Sequence, residues 1–158
     1  MIAALPRDFE SLHALLLKMA GYVEEAMYSA VRALRARDPA AARQVIAGDD
    51  AIDQMENGLF EECLKLLATN QHKDMNLRRI SSVMLITTDL ERIGDLAVGI
   101  AKRTLHIAAP PYLNVPDGLT AMAGTSCEMV RRALDSFPGG VTITHRIKTF
   151  ARSPSKSP

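Results

Sequence analysis

The chain has 158 residues, enough for one ordinary domain with a real core. It is 47% hydrophobic and 23% charged but only 4% aromatic, with no Trp, a balance that suits helical bundles and argues against a β-sandwich. The formal net charge of +1 gives no electrostatic case for a nucleic-acid binder.

The opening MIAALPRDFE is broken by Pro6, Arg7 and Asp8 and reads as neither signal peptide nor span. Nowhere do about 18 apolar residues run uninterrupted, so the chain reads as cytoplasmic. The first helix is expected from about Pro6 to Arg37. Phe9, Leu12, Leu16, Met19, Val23, Ala26, Ala30 and Ala33 recur there in steps of three and four, a coiled-coil-like seam. Asp38-Pro39 is a start signal for the next helix, an N-cap acid followed by Pro in the first turn. That second helix runs to about Ala68, with Val45, Ile52, Met55, Leu59 and Leu66 facing inward. TNQHKD (69–74) is a polar turn. A third helix follows to about His106 on a seam of Ile80, Val83, Thr87, Leu90, Gly94, Ala97 and Ala101. Gly94 and Gly99 lower its helix propensity and are expected to let a neighbour approach closely.

Short turns between long helices make neighbours antiparallel. The fold class is therefore all-α. Residues 6–108 form an up-down three-helix bundle and 109–118 a Pro-rich connector. Residues 119–137 supply the first helix of an incomplete second bundle, and 138–158 an irregular basic tail. The second unit looks like the first begun again. MAGTSCEMVRRAL (122–134) lies 103 residues after MAGYVEEAMYSAV (19–31), sharing Met-Ala-Gly, a Glu and an Ala. The copy then fails: Arg152 and Lys156 stand where Asp49 and Asp53 should recur. The tail has no helical periodicity, and is expected to be disordered or poorly packed. The lone fourth helix would expose an apolar face unless it docks somewhere.

The chemistry concentrates on two helices. Asp49 and Asp53 are four apart on the second, and Glu91 and Asp95 four apart on the third, so each pair shares a face. His72, in the middle of the turn, is equidistant from Asp53 and Glu91 and again from Asp49 and Asp95. Each acid of one helix therefore lies level with an acid of the other, in two levels about 6 Å apart at a rise of ~1.5 Å per residue. Four carboxylates this close repel and have raised pKa values unless something neutralises them. A hard multivalent cation on oxygen ligands is one remedy; pairing with Arg78, Arg79, Arg92 or Lys102 on a solvated face is the other. Glu24 and Tyr28 fold level with Asp53 and Asp49, but Glu24 and Glu25 are read as exposed charge.

Little else is chemically suggestive. Glu10-Ser-Leu-His13 has an ExxH spacing but lies remote from the acids, and a ferritin-like di-metal enzyme would need His ligands beside them. Cys63 and Cys127 fit no CxxC spacing and read as small buried side chains. No nucleophile with its base is present, so the chain is not expected to be an enzyme.

The second-helix Asp49, Ile52, Asp53 and Glu56, then CLKLLA (63–68), Leu77-Arg78 and above all DLERIGD (89–95) resemble the PhoU family, over about residues 8–137. The resemblance implies tandem three-helix bundles and a cytoplasmic negative regulator of phosphate uptake. Such a regulator acts on the phosphate ABC transporter and its sensor histidine kinase, usually as a homodimer, with membrane contact only through partners. It also implies iron or zinc on the acidic motifs, here Asp49, Asp53, Glu91 and Asp95. From about residue 137 onward the chain resembles no PhoU and reads as truncated or frame-shifted. The alternative is a metal-free helical interaction or dimerisation module with a solvated acidic face.

Overall fold

In the computed structural model, residues 7–69, 74–110 and 114–137 are described. They form four helices and, among the described residues, no strand: α1 Arg7–Ala36, α2 Pro39–Thr69, α3 Asp74–Ile107 and α4 Gly118–Asp135. The expected polar turn falls largely on 70–73 and the basic tail on 138–158, both outside the described residues.

The α1 seam is buried as its periodicity requires. Phe9, Leu12, Leu16, Met19, Val23, Ala30 and Ala33 face the interior, and Ala26 packs at its margin. α1 ends where Arg37 takes a left-handed φ of 51°, which lets the Asp38 N–H donate to Ala33 O at 2.9 Å. Asp38 then caps α2: its Oδ1 accepts from the N–H groups of Ala40 and Ala41 at 2.9 and 3.1 Å. Pro39, which lacks an N–H, occupies the first helical position at no cost.

α1, α2 and α3 pack against one another as a three-helix bundle. Its core has two parts. One is built from larger side chains, including Leu12, Leu16, Ile52, Leu59, Ile80 and Leu90. The other is dominated by Ala30, Ala33, Ala42, Ala97 and Ala101, which let the helices come close near the α1–α2 turn. The buried Thr87 and Thr104 are satisfied within α3, donating to Val83 O and Ile100 O at 2.9 and 3.2 Å.

α4 does dock. It lies antiparallel on α1 and buries Ala123, Cys127 and Leu134. At one end Arg35 donates to Thr120 Oγ1 at 2.8 Å and faces Asp117 at 3.6 Å. Farther along Arg131 bridges to Glu24, and at the other end the His13 and Phe137 rings stack with centroids 6.2 Å apart.

Candidate functional site

Asp49, Asp53 and Glu56 are carried by α2, and Glu91 and Asp95 by α3. Ile52, 2% exposed, anchors the α2 side of this region in the core, and the buried Gly94 is its neighbour on α3. A Cβ at Gly94 would lie 3.1 Å from Ile52 Cδ1 and 3.9 Å from Asp49 Oδ1. Without a side chain at 94 the helices approach closely enough for Asp49 to reach α3 beside Asp95. Gly99 plays no such part, for a Cβ there would meet nothing within 4 Å. The expected close approach is thus confined to Gly94, because only that glycine sits on the α2-facing stripe.

The electrostatics show one shared field. The Asp49 carboxyl is raised above its ordinary value, first by partial burial and then by repulsion from Asp53, Asp95 and Asp50, with Lys102 pulling the other way. Glu91 is raised by burial, by Asp95 and Glu56, by a hydrogen bond shared with Asp95, and by Asp53. Glu56 is raised by burial and then by Asp53 and Asp95. Asp53 and Asp95 each act on both Asp49 and Glu91, so the four acids expected from level pairing share one edge of the α2–α3 contact. Glu56 is a fifth that level pairing missed. Its signal was the i, i+3 spacing from Asp53, which keeps it on the same helical face.

The basic residues offered as an alternative remedy do not pair directly with the cluster, and of them Lys102 only draws the Asp49 carboxyl down against its acidic neighbours. Among the described residues, no ion pair includes any of these five carboxylates. Arg79 instead stands over the Phe9 ring, 5.8 Å from its centroid. Also among the described residues, no three His, Cys, Asp or Glu side chains converge closely enough to hold a metal ion. Asp53 and Asp95 point into solvent, while Asp49, Glu56 and Glu91 are half-buried.

The remaining candidates fall elsewhere. Glu24 is engaged by Arg131, Glu25 accepts from Ser29 Oγ at 3.0 Å, and the Tyr28 hydroxyl lies toward Gly124 of α4. His13 stacks on Phe137 rather than pairing with acids. Cys63 and Cys127 are buried free thiols, as their isolation in the sequence led one to expect. Among the described residues, no helix is long and apolar enough to cross a membrane.

Residues 16–104, which include all five acids, match the PhoU domain family. A protein of Aquifex aeolicus called a phosphate-specific transport system accessory protein PhoU homolog is 34% identical over 131 residues, 83% of this chain and 59% of its own length. Its Pseudomonas aeruginosa counterpart is 37% identical over 133 residues, covering 82% and 54%. The crystal structure of PhoU from Pseudomonas aeruginosa superposes with a TM-score of 0.74 at 36% identity, over 83% of this chain and 63% of that one. The chain thus spans little more than half the length of the curated relatives it matches. On sequence and fold together, it belongs to the PhoU family.

Proposed function

We propose that the chain is an accessory regulator of phosphate uptake that acts by contact rather than by catalysis. On this reading it restrains the phosphate ABC transporter and its sensor histidine kinase when phosphate is plentiful. It works in the cytoplasm as a homodimer and meets the membrane only through those partners. Support for the accessory role comes from the names its relatives carry. The observation that carries the site is the shared field of Asp49, Asp53, Glu56, Glu91 and Asp95 across the α2–α3 contact.

A multivalent metal ion, iron or zinc, is proposed at Asp49, Asp53, Glu91 and Asp95, with Glu56 beside them. The donor set fits in chemistry, since five carboxylates with no His or Cys among them offer hard oxygen ligands. It does not yet fit in geometry, and binding requires the exposed Asp53 and Asp95 side chains to turn toward the half-buried acids. A bound ion would supply charge neutralisation and a tie between α2 and α3, with no reaction implied. The residues prepare for it by placing unpaired negative charge on a close helix contact held by Gly94 and Ile52.

A second reading, a metal-free interaction module with a solvated acidic face, is favoured by the lack of convergence among the described acids. Function is tested in cells that lack their own regulator of this kind. Expressing the chain should lower phosphate uptake in phosphate-rich medium. Uptake equal to that with an empty vector would contradict the regulatory reading.

A further inference from the structure

We propose that the end of the bundle at the α1–α2 turn docks into an acidic surface on this chain's protein partner. The inference rests on the regulation by contact proposed above and names the surface that makes the contact. Ala33, Ala42 and Ala101, one from each helix of the bundle, are buried in the smaller core cluster. Arg32, Arg43 and Lys102 are their neighbours in sequence, and Arg103 follows Lys102. A helix turns ~100° per residue, so burying the alanines sends these cations outward, within about one turn of a common level. All four are exposed, and none enters an ion pair among the described residues. Arg32 donates to Ser29 Oγ at 3.2 Å, and Lys102 also pulls on the Asp49 carboxyl.

Charge here is segregated rather than mixed. Residues 30–48 and 96–107 hold six Lys and Arg against one acid, Asp38, whose Oδ1 is occupied in capping α2. Residues 49–62 then hold six acids and no Lys or Arg. Helix polarity accounts for only part of this. α1 and α3 end here, and cations suit their C-terminal dipoles. α2 begins here, yet its first turn has no acid and Arg43 stands just beyond it. Arg35 is already engaged by Thr120 and Asp117, but unpaired positive charge remains on all three helices. Such a patch steers and orients an acidic partner. The shape favours a protein over a lipid surface. The exposed Asp38 stands at the turn itself, and the cations ring the bundle behind it. A flat anionic membrane would meet that acid first, whereas an acidic cradle reaches the ring from its sides.

Pelleting of the purified full chain with membranes tests this. One set of membranes comes from cells that make the phosphate transporter and its sensor kinase, the other from cells that lack both. The chain should pellet only with the first, and about 0.5 M salt should release it. Arg43→Glu with Arg103→Glu should weaken binding at least tenfold. Lys18→Glu with Arg78→Glu, an equal change of charge at exposed sites toward the other end, should bind like the parent. Both variants should keep the parent's helical circular dichroism. Equal loss in the two variants, or none in either, would overturn the basic end as the contact. Equal pelleting with the second membranes, or with protein-free phosphatidylglycerol vesicles, would overturn a protein partner for it. A chain that pellets with neither membrane would overturn regulation by contact as well.

Discussion

Gly94 and Ile52 meet across the α2–α3 contact, so that a single added carbon on the glycine would stand 3.1 Å from Ile52 Cδ1 and 3.4 Å from Cγ2. Ile52 is 2% exposed and cannot swing away freely. Gly94→Val is therefore expected to destabilise the bundle by about 2 kcal/mol through overpacking. Gly99→Ala, in open space on the same helix, should instead gain about 0.5–1 kcal/mol of helix propensity. Urea unfolding of the two variants checks both signs. A Gly94→Val protein as stable as the parent would mean that the helices are not held apart by contact at this point.

The raised carboxyls make a pH prediction whose sign is unusual for acids. Asp49, Glu56 and Glu91 titrate above their ordinary values of 3.8, 4.5 and 4.5 in the folded protein. The native state therefore binds protons more readily than the unfolded chain. Their favourable contribution is present below the ordinary values and lost as pH rises through the raised ones. Metal-free protein should gain thermal stability as pH falls from 7 toward the ordinary carboxylate range. Asp53→Asn with Glu91→Gln should flatten that slope. An equal slope in parent and variant would place its origin outside the acidic cluster.

The seat of α4 is apolar first and ionic second. Leu134 is 3% exposed and belongs to the larger core cluster, so Leu134→Ala should cost about 2–4 kcal/mol. The Glu24–Arg131 bridge lies at the surface, and Arg131→Ala should cost no more than about 1 kcal/mol. Hydrogen exchange within residues 118–135 reads the difference locally: strong deprotection for the first, little for the second.

Burial pushes the Cys63 thiol up to about 11 and raises that of Cys127 as well. At pH 8 only about one Cys63 in a thousand would be thiolate, and that one is enclosed. Native protein should react slowly with a disulfide reagent, and urea should release two thiols. Rapid, stoichiometric labelling without denaturant would contradict the packing of both residues.

The helices were legible because burial follows period. Every α3 seam residue expected from the sequence, from Ile80 to Ala101, is buried, and Asp38-Pro39 starts α2 with the side-chain cap it promised. The acidic neighbours were legible for a related reason: a hairpin's register fixes which residues share a level. Glu56 was not, because its level partner on α3 is Thr88 rather than an acid. Register also says nothing of side-chain torsions, so convergence of the carboxylates lay beyond its reach. The place of α4 was not legible, because the period of its buried Ala123, Cys127 and Leu134 marks an inward face without saying which surface that face meets.

If acids from both helices hold one ion, as proposed, that ion should travel with the protein. Metal content per chain can be measured on parent and Asp53→Asn/Glu91→Gln proteins purified side by side without chelator. Bound iron or zinc is expected in the parent and its loss from the double variant. A parent that carries no metal even after incubation with either ion, or a variant that retains it all, would rule out a shared ion at these acids.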